Sequence, residues 1–128
     1  MQKTGRGQVR IIAGSLRGSK LPVPELDGLR PTSDRARETL FNWLQNDIAG
    51  AQALDLFAGS GALGFEAASR GAQMVVLVER NPIAMANLVD TKNRLKTENV
   101  EVIHADALAW LPQQSGKAFN LVFLDPPF

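Results

Sequence analysis

The chain is 128 residues long, 45% hydrophobic and 21% charged, with a net charge of +1 and no cysteine. This is sequence enough for one buried core, and the lack of cysteine excludes disulfide frameworks and thiolate zinc sites. A single histidine and no carboxylate cluster at ligand spacing argue against a metal, while the lack of a membrane-length apolar run or a signal-peptide h-region makes the cytoplasm the expected location.

The first predicted element is a β-hairpin. Gln8 to Ala13 and Ser19 to Val23 read as two strands joined around Gly14 and Gly18, carrying Arg10, Arg17 and Lys20. The charge is uneven. Residues 1–37 hold Lys3, Arg6, Arg10, Arg17, Lys20, Arg30, Arg35 and Arg37 against Glu25, Asp27 and Asp34, a balance of +5, which leaves −4 for the remainder. A basic segment on a mildly acidic body suits a phosphate backbone, and a solvated polar surface is the other reading. Pro22, Pro24, Gly28 and Pro31 then punctuate a linker, so residues 1–31 are expected to form a basic extension and 32–128 the main domain. Ser33 or Thr32 can cap the next helix, in which Ala36, Leu40, Phe41 and Leu44 share a face that should pack on the sheet. Arg30, Arg35 and Arg37 would then be free to approach a ligand, while Trp43, Trp110 and His104 read as core.

Gln52 to Phe57 is a short apolar run of strand type. Gly59-Ser60-Gly61-Ala62-Leu63-Gly64 follows it as G-x-G-x-x-G and opens a helix predicted to run through Arg70. Such a turn sets backbone N–H groups and a helix N-terminus against a ligand. The motif alone fits NAD, FAD or S-adenosylmethionine. Asp55 separates them: a carboxylate beside the loop would repel a pyrophosphate, but it suits the α-ammonium and sulfonium of S-adenosylmethionine. Met74 to Val78 is a second apolar strand and ends at Glu79, placed to meet ribose hydroxyls. Pro82 opens a helix over Ile83 to Leu95, with Met85, Leu88, Val89 and Leu95 facing inward. Val100 to His104 is a third strand. Asp106 after it could take an adenine amino group, cap the short helix Ala107 to Leu111, or do both.

Ala118 to Leu124 is the last apolar run, and Asp125-Pro126-Pro127-Phe128 leaves its carboxyl end, the edge at which open α/β sheets bind ligands. The prolines hold the preceding residues extended and remove donors, leaving the Asp125 and Pro126 carbonyls free to accept. A planar exocyclic amine is a poor nucleophile because its lone pair is delocalised into the ring. The Asp125 carboxylate and Pro126 carbonyl together could hold both amine hydrogens and turn the nitrogen toward a methyl donor, with Phe128 stacked on the base at about 1–3 kcal/mol.

Asp55-Leu56-Phe57-Ala58-Gly59-Ser60-Gly61 and Asp125-Pro126-Pro127-Phe128 resemble the amino-methyltransferases that modify DNA, RNA or glutamine side chains. The N-terminal stretches Arg10-Ile11-Ile12-Ala13-Gly14, Leu21-Pro22-Val23-Pro24 and Arg30-Pro31-Thr32-Ser33-Asp34-Arg35, running into Arg37-Glu38-Thr39-Leu40-Phe41-Asn42-Trp43-Leu44, narrow this. They resemble the bacterial 16S rRNA guanine-N2 methyltransferase family over essentially the whole chain. The resemblance implies an α/β class I S-adenosylmethionine-dependent methyltransferase fold, Rossmann-like and mostly parallel, preceded by the hairpin and helix. It also implies methylation of one guanine of 16S rRNA, in the small ribosomal subunit or an assembly intermediate. Asp125, Pro126 and Phe128 would form the catalytic set, and Asp55, Gly59, Ser60, Gly61, Glu79, Asp106 and Ala107 the cofactor set. Arg10, Arg17, Lys20, Arg30 and Arg35 would hold substrate, with no metal and no membrane involved. The fold implies further strands beyond the fourth, and the apolar Phe119 to Leu124 run is that of a parallel strand covered on both faces, so C-terminal strands are expected to be missing here. A DNA adenine-N6 or cytosine-N4 methyltransferase is the alternative enzyme. A non-catalytic RNA-binding or ribosome-assembly factor is the alternative of another class.

Overall fold

A computed structural model describes residues 7–26, 33–114, 116 and 118–126. The chain opens with a two-stranded antiparallel ribbon, β1 (Gln8–Arg10) and β2 (Lys20–Pro22), with Gln8 opposite Pro22, Val9 opposite Leu21 and Arg10 opposite Lys20. Alternation gives the ribbon two faces. Val9 and Leu21 are buried in the main core, and Arg10 and Lys20 face solvent. The first strand is shorter than its apolar run suggests: Ile11 still bonds across to Ser19 and Gly18, but the Ile12 and Ala13 N–H groups turn to the Glu66 carboxylate.

Helix α1 (Asp34–Trp43) starts where Ser33 accepts the Ala36 N–H at 3.0 Å, the predicted cap. Its buried residues are Arg37 and Phe41, four apart and on one face. Two expectations fail here. Arg37 is fully buried and so is not free for a ligand, and Trp43, read as core, is 78% exposed. Phe41 takes the inward place, with its ring 5.6 Å from that of Phe123.

The body is a four-stranded parallel sheet in the order β5-β4-β3-β6, formed by β3 (Gln52–Asp55), β4 (Met74–Glu79), β5 (Val100–His104) and β6 (Leu121–Phe123). Helix α2 (Ala62–Ser69) follows β3, α3 (Pro82–Leu95) follows β4, and α4 (Ala107–Trp110) with a 3-10 turn at Leu111–Gln113 follows β5. Side chains alternate across the sheet. Ala53, Val75 and Leu77 join α2, Leu88 of α3, Phe41 and the ribbon in one core, while Leu54, Leu56, Val76 and Val78 pack with Ala107, Trp110 and Phe119 in the other. Helix α3 begins at the predicted proline, with Asn81 accepting the Ile83 and Ala84 N–H groups at 2.9 and 3.1 Å.

The last strand lies at an edge of the sheet. Among the described residues β6 pairs only with β3, and Val122 and Leu124 remain 49% and 66% exposed. The apolar run is that of an interior strand with neighbours on both sides, and among the described residues the flank of β6 away from β3 is uncovered. His104, also read as core, is exposed and sets its ring Nε2 2.9 Å from the Arg80 carbonyl oxygen.

Candidate active site

Because the four strands are parallel, their carboxyl ends share one edge of the sheet, and the residues that follow them gather there. The order reverses between β3 and β6: the chain leaves β3 for β4 on one side and returns to β6 on the other. Crevices at such reversals are where open α/β sheets bind ligands. Asp55 ends β3 and Asp125 follows β6 across this crevice. The two segments are joined by the Leu56 N–H donating to the Phe123 carbonyl at 3.3 Å.

The glycine loop is held from both sides. Ala58 N–H donates to the Val78 carbonyl at 3.1 Å, and Gly61 N–H to the Ala58 carbonyl at 2.7 Å. Gly61 has φ of +85°, and a Cβ there would sit 2.5 Å from the Phe65 ring, so both backbone and space demand glycine. Gly64 is needed for close packing instead: a Cβ would lie 2.1 Å from Leu77 Cδ2, where α2 presses on β4. Ser60 is buried in the loop. Glu79 ties this loop to the start of α3, its Oε1 accepting the Gly59 N–H at 2.8 Å and its Oε2 the Asn81 N–H at 3.0 Å. Each oxygen keeps a second lone pair for a ligand hydroxyl.

Asp55 is the unusual group. It is 1% exposed, and its Oδ1 has no hydrogen-bond partner. Burial pushes its carboxyl up from 3.8 to about 7; backbone N–H groups of Phe57 and Gly64 pull it down, and the charges of Asp125 and Glu79 raise it further. A desolvated, half-satisfied carboxylate is costly unless something cationic or donating meets it. Asp106 leaves its carboxylate unused in capping: its carbonyl accepts the Ala109 and Trp110 N–H groups at 3.1 and 2.8 Å, and its exposed side chain makes no cap bond. The capping alternative for that side chain is therefore not realised, and Ala107 beside it is buried.

The structure brings Asp55, Gly59, Ser60, Gly61, Glu79, Asp106, Asp125 and Pro126 to one edge of the sheet. Phe128, the expected stacking residue, and Arg30 lie outside the described residues. Arg10, Arg17, Lys20 and Arg35 are exposed.

Sequence reasoning missed Glu66. It sits fully buried in α2 and accepts the Ile12 N–H at 2.9 Å, the Ala13 N–H at 3.1 Å, Arg37 Nη1 at 2.9 Å and Arg70 Nε at 2.9 Å. Arg37 also donates to the Arg10 carbonyl at 2.8 Å and pairs with Asp34 at 2.6 Å. One carboxylate thus fastens the ribbon and α1 to the helix that carries the glycine loop. A lone acid within the apolar run Ala62 to Ser69 was the available signal.

With the geometry in place, the likeness to known proteins is direct. A family model described as Conserved hypothetical protein 95 matches residues 9–128. The chain belongs to this family. It is 52% identical over 125 residues to Ribosomal RNA small subunit methyltransferase D of Escherichia coli (strain K12), covering 98% of this chain and 63% of that protein. The solved yhhF protein of Escherichia coli superposes with a TM-score of 0.87 at 49% identity, over 95% of this chain and 65% of that one. The chain therefore spans somewhat under two thirds of these relatives. A more distant likeness is to the Trypanosoma brucei PRMT1 enzyme-prozyme complex with AdoHcy, with a TM-score of 0.57 and 25% identity over 70% of this chain and 28% of that one. The family's architecture is the class I methyltransferase fold.

Proposed function

We propose that this chain is the cofactor-binding and catalytic part of an S-adenosylmethionine-dependent methyltransferase that modifies the exocyclic N2 amine of a guanine in 16S rRNA, in the small ribosomal subunit or an assembly intermediate. The observation that carries this is Asp55, a buried carboxylate with an unpartnered oxygen at the reversal crevice, next to a glycine loop and facing Asp125. A pyrophosphate would be repelled there, and a cationic amino-acid cofactor answers the missing partner. The methyltransferase name of the Escherichia coli relative and the AdoHcy in the trypanosomal complex point the same way.

S-adenosylmethionine supplies, when bound, a methyl group on a positively charged sulfur. The Gly59 to Gly61 loop and the start of α2 would receive its amino-acid end with Asp55. Glu79 would accept from ribose hydroxyls, and Asp106 with Ala107 would meet the adenine. Asp125 and Pro126 would accept the two hydrogens of the guanine amine and turn the nitrogen lone pair out of conjugation, with Phe128 setting the plane of the base. Methyl transfer of this type needs no protonated leaving group, so orientation at about 3–3.5 Å between reacting atoms provides most of the acceleration. Arg10, Arg17, Lys20, Arg30 and Arg35 would hold the RNA backbone. None of the described helices is long and apolar enough to cross a membrane, and no metal-ligating cluster occurs among the described residues.

The test is incubation of the full chain with labelled S-adenosylmethionine and small ribosomal subunits lacking the modification, followed by nucleoside analysis. Label in N2-methylguanosine is expected. Label in N6-methyladenosine or N4-methylcytidine, or binding of RNA without transfer, would replace the reading with one of its alternatives.

A further inference from the structure

Only Arg80 and Asn81 separate β4 from α3, and Glu79 stands immediately before them. The Glu79 carboxylate spans two amides, with Oε1 accepting from Gly59 and Oε2 from Asn81. That Asn81 N–H belongs to the same peptide group as the Arg80 carbonyl. The group is planar and trans, so its oxygen and its N–H point in opposite directions, and one cannot turn without the other. The oxygen is held from β5. His104, paired with Glu79 in the parallel register, sets its ring Nε2 2.9 Å from it. A carbonyl only accepts, so this Nε2 carries a proton and donates.

The preceding peptide group is fixed by the sheet itself, where the Ala105 N–H donates to the Glu79 carbonyl at 3.0 Å. Backbone pairing of β4 with β5 stops there. Among the described residues no backbone N–H reaches the Arg80 carbonyl, and His104 is its one donor. Residues paired in register share a face of the sheet, so His104 and Glu79 project to the same side. The two bonds therefore form a relay. The imidazole holds the peptide oxygen, the peptide N–H holds Oε2, and each bond polarises the next.

We infer that His104 is a positioning residue for Glu79: through the Arg80–Asn81 peptide group it sets the direction of the carboxylate that accepts from the ribose hydroxyls of S-adenosylmethionine. The inference rests on the reading of Glu79 as the ribose-binding acid. His104 acts on cofactor affinity and not on the methyl-transfer step, because it works through Glu79 and the backbone.

The experiment has one arm without cofactor and one with it. In the free full chain, the Asn81 amide should exchange with solvent faster in His104→Ala than in wild type. His104→Gln should restore protection, because its amide nitrogen lies the same number of bonds from the backbone; His104→Phe should not, because its ring has no donor. Calorimetry should then show S-adenosylhomocysteine binding weakened about three- to tenfold in His104→Ala and His104→Phe and recovered in His104→Gln. The analogue lacking both ribose hydroxyls should bind wild type and His104→Ala alike, and the rate at saturating cofactor should be unchanged. Wild-type Asn81 exchange in His104→Ala overturns the inference. An equal loss for both ligands, or full affinity in His104→Phe, also overturns it, since the ring would then serve general packing or nothing. Wild-type protein that binds the two ligands equally tightly overturns instead the reading of Glu79 on which the inference rests.

Discussion

Asp55 ties the stability of the protein to its cofactor through one proton. Its carboxyl has an ordinary value of 3.8 and is pushed up to about 7 in the fold, first by burial and then by Asp125 and Glu79. The folded state therefore keeps a proton that the unfolded chain releases over that interval. Stability without cofactor falls as pH rises from about 4 to about 7 and then levels. Asp55→Asn removes this term, so the variant should exceed wild type in stability at about pH 8 and lose that advantage toward pH 4, as read by urea unfolding at each pH. Affinity for S-adenosylmethionine should run the other way: a cation at Asp55 favours the ionised form, so wild-type binding weakens below about pH 7 and releases a proton there. Calorimetry in buffers of differing ionisation heat measures that proton. Affinity independent of pH between about 5.5 and 8 would refute the assignment. Asp125 answers to a different readout. Asp125→Ala should lower the single-turnover methylation rate by about 100-fold while leaving cofactor affinity within a few-fold, because it orients the amine. An unchanged rate would move that role to another residue.

Between elements, the strongest tie is Glu66. Its carboxylate joins α2 to the backbone after β1, to α1 through Arg37, and to Arg70, whose guanidinium lies 4.9 Å over the Phe41 ring. Glu66→Ala would leave the buried Arg37 with only the exposed Asp34 and the Arg10 carbonyl, and two amides unpaired, a loss of about 3–5 kcal/mol in urea unfolding. Glu66→Gln combined with Arg37→Met should recover part of it, since an amide oxygen still accepts from Ile12 and the fully buried guanidinium is gone, while the largely buried Arg70 still loses its carboxylate. A Glu66→Ala variant within about 1 kcal/mol of wild type would mean that water replaces the network. This tie also marks the limit of what the sequence discloses. The apolar runs of β3, β4 and β5, the glycine loop, Ser33 and Pro82 are local signals and their elements form where expected. The Arg37–Glu66 pair spans 29 positions, so neither residue announces the other. Trp43 shows the converse. Apolar character placed it inward, but the stripe of α1 that meets the sheet runs through Arg37 and Phe41, and Trp43 falls outside it. The candidate site was legible for a simple reason: parallel strands put Asp55, Glu79, Asp106 and Asp125 at one edge once the strands themselves are known.

On the scale of the molecule, charge and apolar surface are divided. Carboxylates gather at the carboxyl edge of the sheet, where a cationic donor and an amine would be held, and the cations Arg10, Arg17 and Lys20 are exposed on the ribbon and its turn, where a phosphate backbone would run. Val122 and Leu124 of the β6 segment are 49% and 66% exposed, and Leu108 and Leu111 of the α4 segment are 73% and 44% exposed. An edge strand with unpaired backbone groups and bare apolar side chains is a template for association. A polypeptide of these 128 residues, prepared by itself, should therefore form concentration-dependent oligomers. Val122→Lys should shift it toward monomer, because a charge at an edge position opposes strand addition. Sedimentation velocity over a hundredfold range of concentration, about 1 to 100 µM, reads both effects on the scale at which exposed edges associate. A 128-residue polypeptide that stays monomeric throughout would show that three residues of edge are too short to recruit a partner, and that the apolar side chains around it are tolerated singly.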